Sequence, residues 1–328
     1  MLDIAATSWT ATRPTFSVVV PLFNEQAGLV AFHRRLSAVM SPLGAWEVVY
    51  VDDGSTDATL AVVEKLRLTQ PRIAVVGLSR NFGKEIATTA GLDHARGEAV
   101  IVIDADLQDP PELIPALVAG WREGFDTVYA QRSARAGDGI LKRVTARLFY
   151  RVIRRLADID VPPNVGDFRL MSRRVVDAVL QLREHHRCMK GLFAWVGYPV
   201  KAVPYERAPR HAGRSGWSYL ALWELALEGI TGCTVAPLKV ATYAGLAVAL
   251  FACAFGAQLI ARTLLFGNPV AGYPSLMTVV LFLGGVQLLT LGVIGEYLGR
   301  VFNETKNRPL YLVERHLPSS VPADAPVS

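Results

Sequence analysis

Three carboxylates fall within six positions of "DADLQDPPE" (residues 104–112): Asp104, Asp106 and Asp109, directly after the apolar run "AVIVI". Like charges this close repel one another, so their collection where an apolar segment ends calls for a compensating partner. Hard cations such as Mg²⁺ and Mn²⁺ take carboxylate oxygens and complete their shell with phosphate and water. A metal-assisted reaction at a phosphate is therefore one reading, and a plain acidic turn is the other. D-x-D alone does not separate them.

The surrounding elements decide where these carboxylates stand. Runs rich in Val and Ile at residues 15–23, 46–55, 72–80, 99–107 and 126–132 read as strands. Helical patterns lie between them at 26–39, 57–68, 84–94 and 111–123, with Pro110 and Pro111 suited to a first helical turn. This alternation predicts an α/β, Rossmann-like, mostly parallel sheet with helices on both faces. Ligands of such sheets bind beyond the carboxyl ends of the strands. The polar residues collect there: Asn24, Glu25, Asp52, Asp53, Arg80, Asn81, Asp104, Asp106 and Arg132. Lys84 in "NFGKE" follows no phosphate-loop glycines and carries no Walker-type reading, and His185 and His186 have no partner at ligand spacing. No internal repeat is present, and the tail "PSSVPADAPVS" (318–328) has the composition of a disordered segment.

The second half differs in kind. Of 328 residues 51% are hydrophobic, and the excess sits in two uncharged runs, 240–260 and 275–294. About 20 helical residues span the ~30 Å hydrocarbon core of a bilayer. Two transmembrane helices, 240–260 and 275–296 within 238–300, are the expectation, because soluble core helices rarely stay uncharged all round for so long. Lys239 precedes the pair and Arg300, Lys306, Arg308 and Arg315 follow it, whereas the loop holds only Arg262. The positive-inside tendency places both flanks, the domain before them and the 301–328 tail in the cytoplasm. No signal peptide is apparent near Met1, and Cys188, Cys233 and Cys253 suggest neither a disulfide framework nor a zinc site.

The formal charge is +5. Arg143, Arg147, Arg151 and Arg154 recur at helical spacing within 140–159, a face suited either to an anionic bilayer surface or to plain solvation. No nucleic-acid recognition motif accompanies the charge.

The order of "SVVVPLFNEQ" (17–26), "VDDGSTD" (51–57), "SRNFGKE" (79–85), "DADLQDPPE" (104–112) and "GDFRLMSR" (166–173) resembles glycosyltransferase family 2. With the closing hairpin, the likeness is to its polyprenyl-phosphate branch, which includes dolichyl-phosphate mannose synthases and bactoprenol glucosyltransferases. The resemblance implies a GT-A catalytic domain at 1–204, a basic loop with an interfacial amphipathic helix at 205–237, then the hairpin and tail. It implies inverting transfer of a hexose from a nucleotide-diphosphate sugar, UDP-glucose or a related UDP-sugar, to a polyprenyl phosphate in the bacterial plasma membrane. GDP-mannose and aminoarabinose donors also occur among such relatives.

Carried over by position, Pro21, Phe23, Glu25 and Asp53 would hold the nucleoside, and Asp104, Ala105 and Asp106 would line ribose and diphosphate. Asp106 and Gln108, with Asp104, would ligate Mg²⁺ or Mn²⁺, and Arg132 would meet donor phosphate or sugar. Asp167 matches the carboxylate usually named the catalytic base. The acceptor is a phosphate monoester with a second pKa of about 6, already a competent nucleophile, so orienting the acceptor or supporting Arg169 is the role expected of Asp167. Arg207, Arg210 and Arg214, ahead of Trp217, Tyr219 and Trp223, suit an acceptor phosphate at the bilayer interface. Relatives often carry Lys where this chain has Gly216.

Two other readings remain. A processive polysaccharide synthase shares the fold, but residues 188–198 lack its Q-x-x-R-W motif. A membrane regulator that binds nucleotide or lipid would not need Asp53, Asp104, Asp106, Gln108 and Asp167 together. Interfacial helices and a two-span hairpin are compatible with a homodimer or tetramer.

Overall fold

The Val- and Ile-rich runs form strands where their composition predicts them: β1 Phe16–Leu22, β2 Trp46–Asp52, β3 Ile73–Leu78, β4 Ala99–Val102 and β5 Thr127–Arg132. Between them lie α1 Leu29–Met40, α2 Thr59–Thr69, α3 Lys84–His94 and α4 Ile114–Arg122, the last opened by a 3₁₀ turn over Pro111–Leu113. Further along come β6 Val165–Ser172, α5 Arg173–Gln181, α6 Met189–Trp195 and β7 Val200–Tyr205. Two long helices follow, α7 Ala236–Phe266 and α8 Tyr273–Thr305, and then β8 Val313–Leu317. This computed structural model describes residues 14–132, 165–185, 187–205, 236–266 and 272–320.

The strand order is β7-β5-β6-β4-β1-β2-β3-β8. The sheet is more mixed than the alternation of elements predicts. The pairs β1–β2, β1–β4, β2–β3 and β5–β7 are parallel, whereas β4–β6, β5–β6 and β3–β8 are antiparallel. Successive strand residues alternate between two cores, as the two-residue period of a strand requires. Val18 and Val20 join Phe32, Leu36, Leu117 and Phe168 on one face; Val19, Val49 and Val51 join Ala87, Ala90, Val176 and Leu192 on the other.

The antiparallel strand β6 has a direct consequence for chemistry. It pairs Val102 with Arg169, so residues just before Arg169 run back to the carboxyl end of β4. Residue 167 thereby reaches the rim that carries Asp104.

The chain after the hairpin corrects the sequence reading. Residues 313–317 add an edge strand to β3, and the Ser79 N–H donates to the Leu312 carbonyl at 3.0 Å. The stretch expected to be disordered begins ordered. The Pro318 carbonyl accepts from Arg67 at 2.9 Å, the Ser319 hydroxyl donates to Glu47 at 2.6 Å, and the Ser320 N–H donates to the Pro71 carbonyl at 2.8 Å. Composition reads residues 318–320 as tail because their anchor, the buried carboxylate of Glu47, lies far away in sequence.

The described residues form two compact units, one of 14–132, 165–205 and 309–320, the other within 236–308. In the second, α7 and α8 have 31 and 33 residues, or about 46 and 50 Å at 1.5 Å per residue. They contain apolar stretches of membrane-crossing length at Val240–Gln258 and Phe282–Thr305, neither of them buried in protein. The second helix thus runs on past the predicted end at 296. The basic face at 140–159, His186, Arg207, Arg210, Arg214, Trp217, Tyr219 and Trp223 lie outside the described residues.

Candidate active site

Loops after β1 and β2 are laced together at the carboxyl edge of the sheet. Asn24, in a left-handed conformation at φ 57°, accepts the Thr56 N–H on its side-chain oxygen at 2.9 Å and donates its own N–H to Ser55 at 3.0 Å. The Glu25 N–H donates to the Thr59 hydroxyl at 2.8 Å. Pro21 and Glu25 are half-buried beside this floor, and Phe23 is exposed. Gly54 is required there twice over: its φ is 66°, and a Cβ would stand 2.5 Å from the Arg80 carbonyl carbon.

Asp53 is buried at the end of β2 and clamps the next loop. Its two oxygens accept the Phe82 N–H at 2.7 Å and the Gly83 N–H at 2.9 Å. Of the role expected for it toward a nucleoside, the geometry leaves only the remaining lone pairs. Its neighbour Asp52 has one oxygen on the Ser55 N–H at 3.2 Å and the other, Oδ1, buried without a partner among the described residues. Burial raises the pKa of both carboxyls.

Lys84 stands at the centre of the site. Its ammonium donates to Asp104 Oδ2 and to Asp167 Oδ2, each at 2.7 Å, and its side chain is 45% exposed. Desolvation opposes its charge, but the two carboxylates outweigh it and hold the ammonium above its ordinary range. Asp167 is also drawn from water, yet Lys84, with Lys190 and Arg169, brings its pKa below normal. Asp104 goes the other way: burial dominates and keeps its carboxyl raised in spite of Lys84.

The other two members of the acidic stretch divide. Asp109 is buried, accepts the Tyr205 hydroxyl and lies 3.8 Å from Arg132, whose Nε donates to the same Tyr205 oxygen at 3.2 Å. It anchors Arg132 to the rim, directly and through Tyr205. Asp106 has no ion-pair partner among the described residues; its Oδ1 accepts the Gln108 N–H at 3.0 Å. Ala105 is buried, and Leu107 takes a left-handed φ of 59° that turns the loop.

Arg169 is not at the rim. Its guanidinium is buried, donates to the carbonyls of Gly166 at 3.0 Å and Asp167 at 3.4 Å, and stacks on Phe193 at 4.0 Å. Desolvation lowers its pKa to about 10. The expected support therefore runs from Arg169 to the backbone of residues 166 and 167.

Comparison with known proteins shows the family. A family profile described as glycosyl transferase family 2 matches residues 17–180, and one described as GtrB C-terminal hairpin matches 236–301. An uncharacterized glycosyltransferase of Synechocystis sp. is 53% identical over 298 residues, covering 90% of this chain and 94% of its own. A prophage-derived bactoprenol glucosyl transferase of Shigella flexneri is 48% identical over 301 residues, 91% of this chain and 97% of its own. The chain belongs to glycosyl transferase family 2.

In this family 2 glycosyltransferase the acidic rim fits the cation that the resemblance implies. Asp106 offers a carboxylate with no ion-pair partner among the described residues, and Lys84 engages one oxygen of Asp104. Gln108 is 5% exposed and the least accessible of the three predicted ligands. No three acidic, histidine or cysteine side chains converge among the described residues. An ion such as Mg²⁺ would take one or two of these carboxylates and leave its remaining positions to phosphate and water.

Sequence reasoning passed over Lys84 and Tyr205. A signal for Lys84 existed: it opens a helix, where the macrodipole disfavours a cation, so its charge needed a partner beyond the helix. Tyr205 had none, since only the β5–β7 register opposes it to Arg132.

Proposed function

We propose that this glycosyltransferase moves a hexose from a nucleotide-diphosphate sugar, UDP-glucose or a close UDP-sugar, to a polyprenyl phosphate such as undecaprenyl phosphate. The carrying observation is that Asp104 and Asp167, remote in sequence, share the Lys84 ammonium at one rim beside Asp106. The likeness to the bactoprenol glucosyl transferase extends along 91% of the chain and so takes in the hairpin, which supports a lipid acceptor.

The nucleoside lies on the floor formed by Pro21, Phe23, Glu25 and Asp53, and Arg132 meets donor phosphate or sugar. Asp106 and Asp104, with Gln108, would hold Mg²⁺ or Mn²⁺, which when bound offsets the charge that develops on the departing diphosphate. The acceptor phosphate attacks the anomeric carbon from the opposite face, with inversion, while Asp167 orients it. Arg207, Arg210 and Arg214 grip that phosphate near the bilayer.

Connectivity supports a hairpin with both flanks on the cytoplasmic side. The unit's strand β7 ends at the rim, Tyr205 opposite Arg132, on the way to α7, and β8 starts beside the rim end of β3 on the way back. Because the chain returns to the same sheet, the hairpin's two flanks share one side of the bilayer, with the basic flanks inside.

Membranes containing the protein, incubated with a panel of labelled nucleotide sugars and extracted with organic solvent, test this. Label from UDP-glucose is expected in the lipid phase, lost with EDTA and restored by Mn²⁺ or Mg²⁺. Transfer from GDP-mannose alone would reassign the donor. No transfer from any nucleotide sugar would overturn the proposal.

A further inference from the structure

We propose that Lys84 is a positioning residue of the transfer reaction, fixing Asp167 and Asp104 at the junction of donor and acceptor; this rests on the transferase reading above.

Three observations carry it. The first is the state of Asp167. Its Oδ1 is buried without a partner among the described residues, and its Oδ2 is held by Lys84 at 2.7 Å. Among the described residues no other side chain binds that carboxylate, because Arg169 reaches only the backbone carbonyl. Among the described residues, the one side-chain hydrogen bond that orients Asp167 comes from this ammonium, with Lys190 and Arg169 acting at longer range.

The second is the repulsion that Lys84 removes. The side chains of Asp104 and Asp167 are only 24% and 19% exposed, and they would face each other with little water between them. The Lys84 ammonium, 2.7 Å from an oxygen of each, bridges the two.

The third is how firmly Lys84 itself is placed. The N–H groups of Phe82 and Gly83, the two residues before it, are clamped by Asp53 at 2.7 and 2.9 Å. One turn further along, α3 is seated on the sheet through Ala87 and Ala90. The lysine thus springs from fixed backbone, on the strand-3 side, and ties together the ends of β4 and β6. Because it acts through Asp167, its loss should slow turnover more than it weakens donor binding.

The test uses the full chain as wild type, Lys84→Met, Lys84→Arg, Asp167→Asn and the double variant Lys84→Met/Asp167→Asn. Loss of a charge-assisted hydrogen bond predicts a fall in kcat of about 10- to 100-fold for Lys84→Met, with donor KM changed by less than about threefold. Lys84→Arg, which keeps the cation, should recover a large part of that loss. The double variant should be no more than about twofold slower than Asp167→Asn, since residues acting as one unit are not additive. Unchanged kcat in Lys84→Met, or losses that multiply in the double variant, would overturn the proposal.

Melting temperatures of the same proteins give a readout without turnover. Non-additive shifts support the Lys84–Asp167 pairing, and additive shifts overturn it. If wild type transfers no sugar, the reaction assignment fails, and the melting cycle still decides on the pair.

Discussion

A carboxylate with one partner is easily disoriented, which bears on how Asp167 should be tested. Asp167→Asn keeps its shape and loses the ion pair with Lys84. If orientation is its role, kcat should fall by about 10- to 100-fold, by the same factor at about pH 6 and pH 8.5, because the acceptor phosphate is its own nucleophile. Activity regained at the higher pH would assign Asp167 to general-base catalysis instead. Glu85, next to Lys84, has a different character. Its Oε2 accepts the Met189 N–H at 3.2 Å, and burial first, then the nearby Asp167 and Cys188, raises its carboxyl from 4.5 to about 7. The folded protein therefore holds this proton more tightly than the unfolded chain does. Its contribution is favourable at low pH and is lost as pH rises from 4.5 through about 7. Glu85→Gln should leave the melting temperature unchanged at about pH 4.5 and raise stability by about 1–3 kcal/mol at pH 8, flattening the profile.

Among the elements, α3 decides the geometry of the rim. It reaches the sheet closely enough that a Cβ on Gly91 would lie 2.2 Å from a Val19 methyl carbon. Gly91→Ala should cost about 1–3 kcal/mol through overpacking, seen as a lowered urea midpoint. It should also lower kcat in the surviving folded protein, because a displaced α3 carries Lys84 away from Asp104 and Asp167. A full loss of activity with an unchanged midpoint would separate the site from the seat of the helix. The strands that composition revealed are those with both faces buried in aliphatic side chains. Strand β6 was legible only as a motif: Asp167 and Arg169 interrupt its apolar pattern, and their partners lie on α3 and in backbone carbonyls.

At the scale of the molecule, the edge strand β8 constrains topology. A chain that leaves the catalytic sheet at Tyr205 and re-enters it at Val313 must cross the bilayer an even number of times if it crosses at all. In a cysteine-free background, Asn268→Cys, between α7 and α8 in sequence, should react with an impermeant maleimide in intact cells. Glu314→Cys on β8 should react only after the cells are opened. Equal labelling of the two sites in intact cells would mean that the hairpin lies on the surface and does not span.

Local pattern alone determined the strands β1 to β5, helices α1 to α4, the two long apolar helices and the identity of the carboxylates, because two-residue and helical periodicities are written in neighbouring positions. The five ordered motifs carried the family. Tertiary structure decided what those carboxylates meet. Asp104 and Asp167 share Lys84, Asp109 serves Arg132 and Tyr205, and Asp53 holds the loop that follows β3. It also decided that residues 313–317 of the tail form a strand, and that Ser319 just beyond it is anchored to Glu47. An ion pair is chosen by distance in space, and the antiparallel return of β6 sets that distance for Asp167, which no spacing along the chain records.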